Sequence, residues 1–168
     1  MANGQMRSSM KVEGLKELRD AMRFFPEELR EKALRKSITA GSTVIRDEAR
    51  RLAPVLSQPT PRRTQGLLRK MIVGSKGLLR GGEATAFVRV RRIGRGLVKK
   101  LMKKSGKTGA ELDPFYWIML EFGTSKMGAR PFMRPAFDTK KTQAVEAIKS
   151  TLKKEIDAIA KRLYRRKF

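Results

Sequence analysis

The sequence predicts an α+β domain: two long amphipathic helices packed on an antiparallel sheet of about four strands, with a protruding basic loop. Three observations carry this. Apolar residues recur at helical spacing over 26–52 and again over 135–163, two-residue alternation runs through 84–93, and a glycine-bracketed basic run interrupts the chain at 91–110. With 168 residues and 40% apolar content the chain can bury a core without staples, as one domain over 12–168 preceded by a flexible polar arm at 1–11.

Gly14 to Phe25 places Leu15, Leu18, Met22 and Phe25 three or four residues apart, a short helix ended by Pro26. Pro26 then suits the first position of the next helix, where its missing N–H costs nothing. That helix carries the stripe Leu29, Ala33 or Leu34, Ile38, Gly41, Ile45, Ala49 and Leu52. A glycine within a helix costs about 1 kcal/mol against alanine, so Gly41 marks either a close backbone approach or a tolerated defect. Ala53-Pro54 stops the helix, and the proline-rich stretch to Gly66 is a long loop.

Leu67 to Ser75 reads as a strand or as a helical turn followed by a strand. After Gly81-Gly82, Ala84, Ala86, Val88 and Val90 alternate with Thr85, Phe87, Arg89 and Arg91, which is a half-buried strand with a basic outer face. The basic run follows, with Arg91, Arg92, Arg95, Lys99, Lys100, Lys103, Lys104 and Lys107 and no acidic residue. Its middle forms a helical turn or two. Such a segment is either an arm that meets nucleic acid through phosphate charge, without reading sequence, or a solvated loop beside an acidic neighbour. Gly94-Arg95-Gly96 lacks the rest of any phosphate-loop fingerprint.

Aromatic area is concentrated between Pro114 and Asp138, which hold the only tryptophan, Trp117, together with Tyr116 and four of the eight phenylalanines, Phe115, Phe122, Phe132 and Phe137. Phe115 to Phe122 is a strand or short helix whose rings serve either as core or as anchors into a neighbouring subunit. Gly123 permits a positive φ there, and Pro131 and Pro135 shape an extended Arg-Pro-Phe passage. Pro135 opens the last helix in its first turn, with Asp138 near the positive end of the dipole. The stripe then runs through Ala136 or Phe137, Lys141 or Ala144, Val145, Ile148, Leu152, Ile156, Ile159 and Leu163.

Composition restricts the chemistry. There is no cysteine and no histidine, so thiol nucleophiles, thiolate metal sites and the commonest catalytic base are all missing. The nearest carboxylate pairs, Asp47 with Glu48 and Glu111 with Asp113, point apart and read as solvated charge. Neither a catalytic residue, a metal site nor a cofactor is expected. Forty Lys plus Arg against sixteen Asp plus Glu give a net charge of +24, which attracts polyanions. No apolar run approaches the roughly 20 residues of a membrane span, and the polar start lacks a signal peptide's core, which places the protein in a cytoplasm without membrane contact.

Tyr116 to Thr124 (Tyr-Trp-Ile-Met-Leu-Glu-Phe-Gly-Thr), Ser125 to Met127, and Ala129 to Phe137 (Ala-Arg-Pro-Phe-Met-Arg-Pro-Ala-Phe) together resemble the signature of the tail-completion, or head–tail joining, family of long-tailed bacteriophages. Ala53-Pro54 and Thr64-Gln65-Gly66-Leu67 fall in that family's order, although Val55 to Arg63 widens the usual compact spacing. The resemblance implies a structural subunit of the virion neck, assembled in the host cytoplasm as a ring around the DNA channel, with sixfold symmetry. It also implies contact with the tail tube or tail terminator protein and with head–tail connector proteins, and nonspecific contact with phage DNA. Gly123, Thr124, Arg130, Pro131, Phe132 and Pro135 are the interface candidates it gives. The competing class is a free nucleic-acid-binding protein, against which stand aromatics not interleaved with basic residues and the lack of a recognition-helix motif. A weaker third is an adaptor or inhibitor of acidic host proteins.

Overall fold

Helix α1, Glu27–Leu52, begins one residue after Pro26, whose carbonyl accepts the first intrahelical bonds from Leu29 and Arg30, both at 3.1 Å. Glu27 and Glu28 stand in its first turn and Arg50 and Arg51 in its last, so both ends match the helix dipole. Its far end is closed by Arg69, which donates to the carbonyls of Ala53 (3.1 Å) and Arg51 (3.2 Å). The structure, a computed structural model, describes residues 20, 22–55, 64–80, 83–106 and 113–165. The arm at 1–11 and most of the expected first helix and proline-rich loop lie outside these residues.

The remaining elements are α2 (Leu67–Met71), β1 (Ile72–Gly74), β2 (Leu78–Arg80), β3 (Glu83–Thr85), β4 (Val88–Val90), α3 (Arg95–Ser105), α4 (Trp117–Phe122) and α5 (Met133–Arg165). Of the alternatives for 67–75, the helical turn followed by a strand is the one adopted. The fold is thus mixed α and β, but the four strands among the described residues form two short ladders, β1 with β4 and β2 with β3, in place of a single sheet.

The split has a cause in register. Arg91 donates to the Met71 carbonyl and Ser75 to that of Phe87, each at 2.7 Å, which makes β1 and β4 antiparallel. Beyond them Leu78 pairs with Thr85. From Ser75 to Leu78 is three steps and from Phe87 to Thr85 only two, so the first strand carries one extra residue, a β-bulge at Lys76–Gly77. The alternation over 84–90 survives on both sides of it: Ala84, Ala86 and Val88 are half-buried and Val90 buried, while Thr85, Phe87 and Arg89 are exposed. Strand structure ends at Val90, before the expected Ile93.

Contacts divide the chain into two compact units. One contains Gly74–Phe87 with the part of α1 up to Ile45 and the part of α5 from Lys140. Its core is Met22, Ala33, Leu152, Ile156 and Ile159, against which Phe25, Leu29, Leu34 and Leu163 pack. The buried line of α1 here is made of small residues, Ala33, Ser37 and Gly41, four apart, with Ile38 and Ile45 at its margins. Small side chains let α5 come close: a Cβ on Gly41 would lie 2.6 Å from Ile148 Cγ1 and 3.0 Å from the Ala144 carbonyl oxygen. Gly41 therefore marks a close approach.

The bulge docks on the same helix. Gly77 donates its N–H to the Thr39 hydroxyl (2.9 Å), which itself donates to the Arg35 carbonyl (2.6 Å). The second unit comprises Arg46–Val73 and Val88–Thr139. Ala49, Ala53, Leu67, Leu68, Ile72, Val90, Trp117, Phe132, Met133 and Ala136 are its buried apolar residues, and Arg50 donates to the Ile72 carbonyl at 2.9 Å.

A Cβ on Gly77 would sit 2.7 Å from the Arg35 carbonyl oxygen and 2.9 Å from its Cα, and would also meet Ile38. Backbone cannot step aside as a flexible side chain can. Gly77→Ala is expected to lower stability by about 1–3 kcal/mol in urea titration. Gly96→Ala, which faces open space within α3, is expected to raise it by about 0.5–1 kcal/mol. Equal effects at the two positions would contradict the docking of the bulge.

Candidate interaction site

Helix α5 starts without a Ser, Thr, Asp or Asn cap, because Pro131-Phe132 precedes it. Its first backbone donors need an acceptor from elsewhere, and Glu121 supplies it. Glu121 Oε2 accepts the N–H groups of Phe132 (2.8 Å) and Met133 (3.0 Å), and Oε1 accepts that of Arg134 (3.1 Å). Pro135 has no N–H, and Ala136 returns to the Phe132 carbonyl at 3.3 Å. Every donor of the first turn is thereby accounted for.

The Glu121 side chain is fully buried, held where the helix dipole favours negative charge. Arg134 Nε lies 4.0 Å from Oε1, and its guanidinium stacks over the Phe122 ring, 4.6 Å from the centroid.

Turning Glu121 inward fixes the orientation of α4. Trp117 and Glu121, four apart, are buried, whereas Phe115, Ile118, Met119 and Phe122 are all exposed. The exposed residues follow i, i+3, i+4, i+7 spacing, the pattern that ordinarily faces a core. The helix is amphipathic in reverse. Exposed Met127 lies in the turn that follows, closed by reciprocal bonds between Thr124 and Met127 at 2.9 and 3.2 Å. Gly123 joins helix to turn at φ 76°, the positive φ expected for it, and a Cβ there would meet the Met127 carbonyl oxygen and the Ala129 nitrogen at 3.0 Å. Arg130 donates its N–H to the Leu120 carbonyl at 2.7 Å, which ties the returning chain to α4. The indole Nε1 of Trp117 is the one buried side-chain polar atom without a hydrogen-bond partner among the described residues.

The interface candidates therefore divide. Thr124, Arg130 and Pro131 are exposed, and Gly123 and Pro135 are half-buried. Phe132 is 0% exposed and belongs to the core, so it offers no ring to a neighbour. Glu121 is missing from the sequence-derived set. The clue was the uncapped α5 start, with Glu121 the nearest upstream carboxylate.

The basic candidates form a second surface. Their middle is α3, a helix of 11 residues and thus longer than the turn or two expected, closed by Gly106 at φ 66°. Lys99, Lys100, Lys103 and Lys104 are exposed on it in two adjoining i, i+4 pairs, and Arg95 opens it. Arg91 is exposed at the end of β4, while Lys107 lies outside the described residues.

Arg92 is engaged locally: it donates to Asp113 Oδ2 through Nε (3.2 Å) and a terminal nitrogen (3.0 Å). Asp113 also accepts the Ile93 N–H at 3.3 Å and is largely buried, so the solvated reading of this carboxylate is corrected. The same correction applies to Glu48, which is buried and gripped by Arg51 through Nε and a terminal nitrogen, holding the Arg51 pKa above its ordinary value by hydrogen bonding and charge. Asp47 pairs with Arg46 on the surface. Neighbours in sequence thus do point apart, each to its own arginine.

Among the described residues no group of His, Cys, Asp and Glu could hold a metal, and no helix is long and apolar enough to cross a membrane. No family model, curated protein or solved structure matches the chain.

Glu121→Ala leaves three donors without their acceptor, and hydrogen bonds to charged groups are worth about 1.5–3 kcal/mol each. A loss of at least about 3 kcal/mol is expected, read from urea unfolding by Trp117 fluorescence. Glu121→Gln, which turns an NH2 toward at least one donor, is expected to fall between alanine and wild type. A neutral Glu121→Ala would show that the cap is dispensable.

Proposed function

We propose that this chain is a non-enzymatic structural subunit of a bacteriophage neck, which completes the tail and joins it to the head as a ring around the DNA channel. The observation that carries the reading is the coincidence of two features in one stretch. Residues 116–137, where the family resemblance lies, also present Ile118, Met119, Phe122 and Met127 to solvent, next to the exposed Phe115. Exposed large apolar residues grouped on one face mark an interaction surface, and the buried Glu121 bonds give that surface a fixed shape. The lack of Cys and His agrees with assembly in place of catalysis. Two long helices with short antiparallel strands agree with a mixed α and β fold for that family, although the strands here form two ladders.

In this reading the α4 surface meets adjacent subunits, the tail tube or terminator protein, and connector proteins. The lysines of α3 face passing DNA or an acidic partner ring. The particle is the virion neck, assembled in the host cytoplasm, and sixfold closure is carried over from the resemblance.

Native mass analysis over a salt series, with and without DNA, tests this. A discrete closed oligomer, or one that forms only with tail protein, supports the neck; a persistent monomer that coats DNA at low salt and does nothing else supports the free nucleic-acid binder. DNA contact has its own readout, since each neutralised phosphate contributes about 0.9 to the slope of log K against log salt. Replacing Lys99, Lys100, Lys103 and Lys104 by alanine is expected to reduce that slope by up to about 3–4, without base-sequence preference. An unchanged slope would remove α3 from the DNA contact.

A further inference from the structure

The exposed α4 surface has a counterpart elsewhere on the same chain. Phe24 is 88% exposed, the most of any large apolar residue described. It stands at the tip of the turn before α1, held by bonds from Arg23 to Asp20 (3.2 Å) and from Phe25 to Met22 (3.1 Å), while Met22 and Phe25 belong to the core. Its neighbours have the wrong sign for this protein. Residues 20–31 hold four carboxylates, Asp20, Glu27, Glu28 and Glu31, against two arginines, in a chain of net charge +24. Glu27 and Glu28 are exposed beside it.

The α4 surface has the complementary composition. Around Ile118, Met119 and Phe122 stand the exposed cations Lys126, Arg130 and Arg134, and the carboxylate of that stretch, Glu121, is buried. One surface is apolar with a basic rim, the other an aromatic knob with an acidic rim. We infer that the Phe24 knob of one copy docks on the α4 face of the next.

The inference rests on the ring reading and names its joint. Two different surfaces of one chain meeting in this way form a heterologous contact, which yields a closed ring if the rotation closes and a filament if it does not. Charge decides in favour of a second copy at this patch. Overall repulsion between copies is screened beyond about 8 Å at 0.15 M salt, whereas pairs in contact across a partly desolvated rim are screened far less. Aliphatic Ile118 and Met119 amid the rings suit a protein knob better than a stack of bases.

The test is sedimentation and native mass at 0.15 M salt on the full chain, with circular dichroism to check folding. Phe24→Ala, the pair Glu27→Lys with Glu28→Lys, and the pair Lys126→Glu with Arg130→Glu are each expected to weaken self-association at least about tenfold. All five residues are exposed, outside the core. Joining the two charge-reversed pairs in one chain restores opposite signs across the contact and is expected to recover the oligomer. An oligomer of unchanged mass and affinity in all three variants overturns this contact while leaving the ring reading intact. Failure of the charge-swapped chain to regain association overturns the pairing of these two rims. A wild-type chain that stays monomeric and coats DNA overturns the ring, and this contact with it.

Discussion

The buried Glu121 carboxylate is the constraint on which the signature stretch depends. A carboxylate taken out of water costs several kcal/mol unless its lone pairs are filled, and here three backbone N–H groups at a helix start fill them. The arrangement works in both directions. Helix α5 has no cap of its own, and Glu121 has no other full set of partners, so each end of the contact requires the other. A residue in α4 thereby fixes the entry of a 33-residue helix.

Consequences follow along the chain in both directions. Since Glu121 faces inward, its helical neighbours four before and one before, Trp117 and Leu120, turn toward the interior, and Ile118, Met119 and Phe122 turn out. The chain must then reverse within a few residues to bring Phe132 back to Glu121, which requires the positive φ of Gly123 and the tight Thr124–Met127 turn. Arg130 bonded to Leu120 closes the loop. The exposure of an apolar stripe is thus a product of the cap geometry: a helix of six residues cannot bury both a charged acceptor and the stripe beside it.

The long helices were legible because periodicity reports burial directly. The residues expected to face inward on α5, from Ala136 through Ala144, Ile148, Leu152, Ile156 and Ile159, do so. On α1 the expected stripe holds the buried Ala33, Gly41 and Ala49, but its large members Ile38 and Ile45 are only half-buried, and the small polar Ser37 and Ser42, outside the stripe, are buried. Hydrophobicity scales reward size, and close helix contact rewards smallness. The bulge at Lys76–Gly77 was invisible because it preserves alternation on each side while shifting the register between them. The exposed α4 face was unreadable for a related reason: seven apolar residues in eight positions give no period, so only the partners of Glu121 decide which side is in.

Charge explains why exposed apolar area is tolerable here. A chain of +24 repels its copies at long range, which keeps an apolar patch from nonspecific aggregation until a partner with matching geometry and sign arrives. The carboxylates reinforce this by their placement. Glu48, Asp113 and Glu121 are buried against arginines or backbone donors and leave the surrounding surface basic. A local excess of carboxylates over cations, by contrast, gathers at residues 20–31, around the exposed Phe24. Colloidal solubility and selective assembly are therefore served by one distribution: cations spread widely, Glu48, Asp113 and Glu121 drawn inside, and a local acidic excess left beside the exposed Phe24.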